Sequence, residues 1–422
     1  MQSNSRIGAI FHEGSILNAS DYKVYKDWLS KASSSPSLPL QFRVVDRKEV
    51  IMSYRYLPES REINANRNYG GNVGNYIWEY GATNLLNPFT TRLVESKDWK
   101  TSVFIVAQAN LFLVNGEKPN LEQMMFNQAN AIRERVVNYD LPTIMLGIGV
   151  QIEFGVAENV TFDERYASYH QLLHEVGTRH KSKSIAVRGD ITENFCRNSG
   201  FHQCISLGCP SLTINRDLNL GATLKAKWNK VLESLREVNA ARKIKVALAL
   251  PAIQMKTNYD DYKMFVDVLL SLYRQHDSYF IMQSDYDEYQ LKEYTKGEVD
   301  ESRMLTFKHS VEPWFDFISK VDVVVSTRIH GGMAGIAKGV PAVIIPTDFR
   351  ILELVEAMKL PALAVDTIEK ERHSSLINIM EDAPFDHVAF EANRRQKIKE
   401  YKRILEDVGL EIDPSLSAIV KQ

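Results

Sequence analysis

Short apolar runs alternate with longer amphipathic segments along both halves of the chain. In the first half the apolar runs predict strands at residues 102–107, 143–146 and 184–187. In the second half they predict strands at 245–250, 279–283, 321–325 and 342–345. This alternation is typical of a parallel β-sheet with helices packed on its faces. The pattern therefore predicts an α/β protein with one doubly wound, Rossmann-like sheet in each half.

The amphipathic segments between the apolar runs predict the helices. These are expected at residues 77–86, 120–137, 163–176, 222–240, 260–274, 287–296 and 311–319. We expect Asn120 to cap the second of them, because an asparagine side chain accepts hydrogen bonds from the free N–H groups of a first helical turn.

The length of 422 residues exceeds the usual size of a single hydrophobic core, so two domains of roughly 200 residues each are expected. The boundary is placed near residues 215–221, where an extended segment containing Pro210 gives way to a polar helix. The predicted organisation is a Rossmann-like domain over residues 1–215, a second over 216–390, and a helical tail over 391–422. Two such domains leave a cleft between them, and domain interfaces are favoured ligand sites.

Composition narrows the class of protein. The chain has 51 basic and 53 acidic residues, a balance that argues against bulk electrostatic binding to nucleic acid. Cys196, Cys204 and Cys209 match no zinc spacing, so reduced cysteines in an intracellular protein are expected. The N-terminus lacks a signal-peptide pattern, and the apolar run at 246–253 is far short of the ~20 residues that span a bilayer. We expect a cytoplasmic protein with at most peripheral membrane contact.

The most informative motif is STRIHGG at residues 326–332, which follows a predicted strand. Arg328 and His330 are thereby placed at the C-terminal end of a parallel strand, where open α/β sheets bind their ligands. Gly331 and Gly332 let the backbone come close to a ligand. The next helix would direct unpaired N–H groups at the same place. Together these features predict an anion site.

A second strand end carries the motif RGD at residues 188–190. A strand-end arginine such as Arg188 suits bidentate binding of a carboxylate or phosphate, although an ion pair with Asp190 is the alternative. Asp190 stands where it can cap a helix that starts near Ile191, and in such a position aspartate is more often a cap than a catalyst.

Two further segments carry candidate ligand-binding residues. The loop NYGGNVGNY at 68–76 offers amide side chains that suit a neutral polyhydroxy ligand, although it could simply be a turn that caps a helix. The segment PTDFR at 346–350 places Asp348 and Arg350 at the end of the next strand, on the same rim as Arg328. Glu353 lies one turn further on and is within reach of the cleft.

Residues 391–403 form a basic segment with six cations against Glu391 and Glu400. A solvated helix face is the favoured interpretation. The alternative is a weak contact with an anionic membrane surface or a lipid diphosphate.

Taken together, these motifs resemble the polysaccharide pyruvyl transferase family. The resemblance covers residues 68–86, 144–151, 187–212 and 326–350, and its most recognisable parts are Arg-x-His at 328–330, Gly-x-Pro at 339–341 and Arg-Gly-Asp-x-Thr at 188–192. The chain has Asn72 where many relatives have aspartate, which puts a carboxylate role for that loop in doubt. Many relatives also carry a lysine near the position of Arg350.

The resemblance implies a two-domain enzyme of the glycosyltransferase-B type. Such enzymes transfer the enolpyruvyl unit of phosphoenolpyruvate to two hydroxyls of a sugar as a cyclic ketal. It also implies that Arg188, Arg328 and His330 contact the donor. We assign donor binding to these residues together with Ile329, Gly331, Gly332 and Arg350. The acceptor is assigned to the N-terminal domain, through Asn68, Gly70, Gly71, Asn72 and Gln151.

The donor's chemistry explains why these residue types are apt. Two guanidinium groups can bind the carboxylate and the phosphate of phosphoenolpyruvate. His330 is the candidate general acid for the methylene carbon, because its ordinary pKa lies nearest neutrality. Asp348, Glu353 and Asp190 are all candidates for the base that activates the hydroxyls. No metal or cofactor is expected, and the sugar acceptor can be free or lipid-linked.

Two other functions compete with this hypothesis. A nucleotide-sugar glycosyltransferase of the same architecture would also place a cation and a helix N-terminus at a diphosphate, with Glu353 near the ribose. A non-catalytic saccharide-binding protein would form no product with any donor. Dependence of turnover on phosphoenolpyruvate separates the three.

Overall fold

The computed structural model describes residues 47–52, 72–94, 96–108, 110–113, 119–151, 166–179, 183–237, 243–251, 259–307, 310–364 and 368–421. Within these residues the chain forms two parallel β-sheets, and helices connect most of the successive strands. The predicted α/β fold, with one Rossmann-like sheet in each half, is confirmed. The loop residues Asn68, Gly70 and Gly71 lie outside the described residues.

The first sheet is formed by strands of the N-terminal half, which pair in parallel. Its strands are β1 (Lys48–Met52), β2 (Thr91–Val94), β3 (Thr101–Ala107), β4 (Asn110–Leu113), β5 (Thr143–Gln151), β6 (Ile185–Val187) and β7 (Cys204–Ser206). Their order is β2-β1-β3-β5-β6-β7, and β4 pairs with the far end of β5. The accompanying helices are α1 (Asn75–Thr83), α2 (Pro119–Tyr139), α3 (Ala167–Thr178) and α4 (Asp190–Asn198).

The second sheet is formed by the C-terminal half and is also parallel, in the order β10-β9-β8-β11-β12. Its strands are β8 (Lys245–Ala249), β9 (Asp277–Met282), β10 (Met304–Thr306), β11 (Val323–Ser326) and β12 (Ala342–Ile344). Its helices are α5 (Leu220–Arg236), α6 (Tyr259–Gln275), α7 (Asp285–Thr295), α8 (Glu312–Ile318), α9 (Ile329–Ala337) and α10 (Phe349–Met358). Three helices follow, namely α11 (Leu376–Asp382), α12 (His387–Asp407) and α13 (Pro414–Val420).

All seven strands predicted from the apolar runs are present, with ends that differ by a few residues. The largest difference is β5, which continues to Gln151 instead of ending at residue 146. Glycines at 147 and 149 interrupt the apolar run there, and Gly147 has a φ of +72° where the pairing with β6 shifts register. The short strands β1, β2, β4, β7 and β10 were not predicted.

Two helix starts differ from the prediction. Helix α2 begins at Pro119, so Asn120 lies inside its first turn and is not the cap. Proline suits that position because its φ is already helical and its missing N–H would have no helical partner. Helix α4 begins at Asp190, with Gly189 as its N-cap and no side-chain cap. Asp190 therefore does not cap this helix, although a carboxylate in the first turn still favours the helix dipole.

The basic C-terminal segment packs against the rest of the protein. Arg394 of α12 is fully buried and donates to the carbonyl oxygens of Asn215 at 2.5 Å and Asp217 at 2.9 Å. Lys397 donates to the carbonyl oxygen of Ser206, at the end of β7, at 2.5 Å. The interpretation of this segment as a solvated face is wrong for Arg394 and Lys397, because their charges satisfy backbone carbonyls of other elements.

None of the helices described is both long enough and apolar enough to cross a membrane.

Candidate active site

One open cavity lies where the carboxyl ends of the two sheets meet. Arg188, Arg328, Ile329, His330, Asp348, Arg350 and Asn72, all singled out in the sequence, contribute to its wall. The full lining is Asn72, Asn75, Trp78, Gly147, Arg188, Cys209, Thr327, Arg328, Ile329, His330, Thr347, Asp348, Arg350, Ile351 and Leu354. Both halves of the chain therefore build the same site.

The turn between β11 and α9 fixes the position of Arg328. The Ser326 hydroxyl accepts a hydrogen bond from the Arg328 N–H at 3.2 Å and donates to the Arg328 carbonyl oxygen at 2.5 Å. The Thr327 hydroxyl donates to the carbonyl oxygen of Ala249, in β8, at 2.7 Å. Arg328 is the N-cap residue of α9 and has no side-chain cap, so the first N–H groups of this helix face the cavity end of the sheet.

The guanidinium of Arg328 is held by an acid that the sequence did not identify. Its Nη2 pairs with Asp287 Oδ1, and it also approaches the carbonyl oxygen of Pro251 at 3.3 Å. Asp287 accepts from the N–H groups of Gln283 at 2.8 Å and Ser284 at 3.0 Å. Both partners of the ion pair are buried, so the pair fixes the direction of the guanidinium.

One of the two roles of Asp287, that of a capping residue, can be recognised from the sequence. With Ser284 it forms a capping box at the start of α7, a pattern that can be recognised from the spacing of the two residues. The predicted helix began at 287, two residues after the observed start at Asp285. That prediction missed the box, and the ion pair with Arg328 is a tertiary contact that local pattern does not show.

His330 lies in the first turn of α9, almost completely buried. Burial, together with the nearby positive charges of Arg188 and Arg350, lowers its pKa to about 3. The imidazole is therefore neutral near pH 7. Its Nε2 lies 4.0 Å from the Cys209 sulfur, which itself accepts a hydrogen bond from the Ser211 hydroxyl at 2.9 Å.

Arg188 enters the cavity from the end of β6. Its Nη2 donates to the carbonyl oxygen of Val150, and its Nε lies 3.5 Å from Glu353 Oε2. The guanidinium lies against Gly149, where any side chain would collide with it. Burial lowers the pKa of Arg188, and Glu353 opposes that effect. The alternative of an ion pair between Arg188 and Asp190 is wrong, because Asp190 is exposed and the carboxylate beside Arg188 belongs to Glu353.

Glu353 does not line the cavity. Its carboxylate accepts from the Thr192 N–H at 2.6 Å and the Thr192 hydroxyl at 3.1 Å, and it is almost completely buried. Burial raises the pKa of Glu353, although Arg188 and Thr192 offset part of the effect. The structure thus places Glu353 behind Arg188, where it braces the arginine and joins the two halves, and it does not reach into the cleft.

Asp348 and Arg350 form a unit at the start of α10. Asp348 caps this helix by accepting from the N–H groups of Arg350 at 2.9 Å and Ile351 at 3.1 Å, and it pairs with Arg350 Nη2 at 3.0 Å. Burial alone would raise the pKa of Asp348, but Arg350 and the Ile351 N–H outweigh it and hold the pKa below its usual value. Of the three candidate bases, Asp348 is the one that lines the cavity.

Gly331 and Gly332 have a different role from the one expected. A side chain at Gly331 would collide with the Ser326 hydroxyl, and one at Gly332 would lie 2.7 Å from the Ile344 side chain. Neither glycine lines the cavity. They allow α9 to pack closely on β11 and β12, so their smallness serves helix–sheet packing and not approach to a ligand.

The N-terminal side of the cavity is joined to the second sheet through Asn72 and the residues that follow it. Asn72 Oδ1 accepts from the Gly74 N–H at 2.9 Å, and the Val73 N–H donates to the carbonyl oxygen of Gln283 at 2.8 Å. A side chain at Gly74 would meet His330 Cβ at 3.1 Å. Gln151 ends β5, and its side chain lies outside the part of the structure that is described.

Sequence reasoning missed several cavity residues, among them Trp78, Gly147, Cys209 and Thr347. Trp78 was assigned to a helix without a function, and Gly147 fell beyond the predicted end of β5. The three cysteines are free and buried, and Cys209 is the one that reaches the cavity. No group of three or more His, Cys, Asp or Glu side chains in the described residues is placed to hold a metal ion.

A family model described as polysaccharide pyruvyl transferase matches residues 21–348, which include every cavity-lining position up to Asp348. The chain belongs to the polysaccharide pyruvyl transferase family. Membership indicates a transferase that acts on polysaccharide. Arg188, Arg328 and His330 line the cavity and lie within the matched residues.

Solved structures similar to this pyruvyl transferase family member were found at low sequence identity. The UDP-GlcNAc 2-epimerase of Methanocaldococcus jannaschii is 16% identical, with 72% of this chain and 76% of that chain covered and a TM-score of 0.35. WaaG, a glycosyltransferase of lipopolysaccharide biosynthesis, is 12% identical, with 84% and 99% covered and a TM-score of 0.38. The UDP-N-acetylglucosamine 2-epimerase of Rickettsia bellii is 9% identical, with 85% and 95% covered and a TM-score of 0.42. A comparison with curated protein sequences found no match.

Proposed function

We propose that this protein transfers the pyruvyl unit of phosphoenolpyruvate to two hydroxyls of an acceptor sugar and forms a cyclic pyruvate ketal. The observation that carries the proposal is the convergence of Arg188, Arg328 and Arg350 on one cavity that also contains His330. A small donor with a carboxylate at one end and a phosphate at the other requires such a set of fixed cations.

Donor binding is assigned to both halves of the site. Arg188 comes from the first sheet, whereas Arg328 and Arg350 come from the second. The Nη2 of Arg328 is committed to Asp287, but its buried Nε has no hydrogen-bond partner among the described residues. That N–H is left for an oxygen of the donor, and the N-terminus of α9 favours the same negative charge.

His330 supplies the proton in this scheme. Burial and the charges of Arg188 and Arg350 lower its pKa, so the imidazole is neutral near pH 7. A bound donor brings negative charge beside the imidazole and raises its pKa, so His330 takes up a proton when the donor binds. The enzyme would thereby form its general acid together with the donor.

The reaction balances without a further reactant. The proton of His330 goes to the methylene carbon, which becomes a methyl group, and the first sugar hydroxyl adds to the central carbon. The bond from that carbon to the phosphate oxygen then breaks, and phosphate leaves with the electron pair. The second hydroxyl attacks the same carbon and closes the ring. The two hydroxyl protons pass to Asp348, now assigned as the base, and to the departing phosphate.

The test is a mixture of the full-length protein, phosphoenolpyruvate and a panel of candidate acceptor saccharides, with free phosphate and product mass as readouts. We expect phosphate release together with a product heavier by pyruvic acid less one water. Arg188→Ala and Arg328→Ala should lose donor binding, whereas His330→Ala should lower turnover more than donor affinity. Turnover with a nucleotide sugar and none with phosphoenolpyruvate would replace this proposal by the glycosyltransferase alternative.

A further inference from the structure

Tyr286 and Tyr289 form an exposed aromatic pair at the start of helix α7. Their side chains are 48% and 61% exposed, and their rings stack with centroids 6.2 Å apart and an interplanar angle of 26°. Buried residues of the same helix, Asp287 and Leu291, face the protein instead. The helix thus presents two ordered rings to solvent, although burial of large apolar rings is normally favoured.

The pair adjoins the candidate active site. Tyr286 directly precedes Asp287, so its Cα lies about 3.8 Å from that of Asp287. Asp287 in turn holds the cavity-lining Arg328. Arg328 follows β11 and Asp287 follows β9, with β8 between them, so their ion pair bridges two strand spacings, about 10 Å of the sheet edge. The tyrosines therefore stand at the β9 side of the site.

The Asn72 side of the cavity contacts the segment just before the tyrosine pair. The Val73 N–H donates to the carbonyl oxygen of Gln283, three residues before Tyr286, and the neighbouring Asn72 lines the cavity. The backbone beside Asn72 is thus bonded to the segment that leads into the tyrosine pair. The Asn72 amide can form hydrogen bonds with sugar hydroxyls. The two tyrosine rings offer a flat apolar surface for the C–H face of a sugar.

We propose that Tyr286 and Tyr289 form a subsite for a sugar ring of the acceptor beyond the one that reacts, so that the substrate is a neutral saccharide chain and not a single sugar. The proposal rests on the proposed function. The C–H faces of a pyranose pack on aromatic rings, while its hydroxyls stay in water or bind the phenol groups. Glu288, on the same turn, disfavours an anionic chain, although Lys292 pairs with it at 3.0 Å.

The test compares retention of the labelled full-length protein on an array of neutral and anionic oligosaccharides. The variants are Tyr286→Ala/Tyr289→Ala, the ring-preserving Tyr286→Phe/Tyr289→Phe, and Trp99→Ala. Trp99 is a matched control, since it is 87% exposed but lies just before β3, at the amino edge of the first sheet. We expect retention of the wild type on neutral chains, a loss of about tenfold or more in the double alanine variant, and little change in the other two.

Retention of the double alanine variant at the wild-type level would overturn the proposal, as would a wild type that binds no neutral saccharide or only anionic ones. Calorimetry with phosphoenolpyruvate separates this result from a failure of the proposed function. The double alanine variant should bind phosphoenolpyruvate as the wild type does, because neither tyrosine lines the cavity. A wild type that is retained on saccharides but never consumes phosphoenolpyruvate would contradict the proposed function and leave the saccharide subsite supported.

Discussion

Glu353, on helix α10 of the C-terminal half, accepts a hydrogen bond of 2.6 Å from the main-chain N–H of Thr192, in the first turn of α4 in the N-terminal half. The Thr192 hydroxyl donates to the other carboxylate oxygen at 3.1 Å, and Arg188 Nε lies 3.5 Å from it. Helix α4 has no side-chain cap of its own. A carboxylate from the other half therefore satisfies its N-terminus and braces a cavity arginine.

We predict that Glu353→Ala destabilises the protein strongly. The substitution leaves the Thr192 N–H without this acceptor and removes the carboxylate beside the buried Arg188. Loss of one partner of a buried ion pair costs about 3–5 kcal/mol, so the melting temperature should fall by roughly 5 °C or more. Thermal unfolding of the purified variant measures the change.

Glu298→Ala is the matched control, because Glu298 pairs with Arg274 on the surface, where both side chains are substantially exposed. An exposed pair contributes about 0–1 kcal/mol, so its melting temperature should stay close to that of the wild type. Equal melting temperatures for Glu353→Ala and Glu298→Ala would show that the buried contact does not join the two halves as described.

We predict that Arg328→Lys does not preserve donor affinity. The guanidinium binds Asp287 and approaches Pro251 O through Nη2, and its Nε has no hydrogen-bond partner among the described residues. We propose that this Nε binds the donor. A lysine has a single nitrogen and cannot serve both sides at once. Donor affinity measured by calorimetry should fall by about tenfold or more, equal to at least ~1.4 kcal/mol.

Arg236→Lys serves as the control, since Arg236 forms an exposed pair with Glu381 and neither residue lines the cavity. Its affinity for phosphoenolpyruvate should match that of the wild type. Retention of full affinity by Arg328→Lys would mean that only the positive charge of Arg328 matters, and the role assigned to its planar geometry would be incorrect.

Much of the fold and part of the site could be predicted from the sequence. Strands β8, β11 and β12 are short and almost wholly apolar, so their places along the chain were found. The carboxyl ends of parallel strands are favoured ligand sites, and this rule placed Arg328 and His330 at such a site. The resemblance to the family implied that Arg188 contacts the same donor. The structure puts all three in one cavity.

The remaining features depend on contacts between distant segments. The sequence around Glu353 does not show whether its side chain faces the cleft or contacts Thr192, which is 161 positions away. The same holds for Asp287 and Arg328, which are 41 positions apart. Gly331 and Gly332 resemble ligand-approach glycines in sequence, but packing on Ser326 and Ile344 determines their role. The length of β5 was underestimated because Gly147 and Gly149 have no apolar side chain and interrupt the hydrophobic run.

The low pKa of His330 predicts a specific dependence of stability on pH. An unfolded histidine takes up a proton as the pH falls below about 6.5, whereas the folded His330 does so only near pH 3. Between these values the unfolded state binds more protons, so stability due to this group is present above pH 6.5 and is lost as the pH falls. The slope attributable to one such group is up to about 1.4 kcal/mol per pH unit.

Melting temperatures at pH 7 and pH 5 check this prediction. The wild type should lose more stability between the two pH values than His330→Gln, which has no imidazole to protonate. His202→Gln, at an exposed position, controls for the loss of a histidine elsewhere. Parallel losses in the wild type and His330→Gln would indicate that His330 takes up a proton equally well in both states.

Donor binding should raise the pKa of His330 again. Because a bound anion offsets the charges of Arg188 and Arg350, we expect phosphoenolpyruvate to bind with uptake of up to about one proton near neutral pH. Calorimetry in buffers of different ionisation enthalpy measures this uptake. It should be largely absent in His330→Gln, and an observed binding heat that is the same in every buffer for the wild type would exclude His330 as the group that is protonated.

Product formed in heavy water tests the central claim most directly. If a protein acid in exchange with solvent protonates the methylene carbon of phosphoenolpyruvate, the ketal methyl group formed in D₂O carries one deuterium, and His330→Gln forms this product far more slowly. Mass spectrometry and NMR of the product give the isotope count and its position. A ketal without deuterium in its methyl group, or a product that contains no pyruvyl unit, would contradict the account.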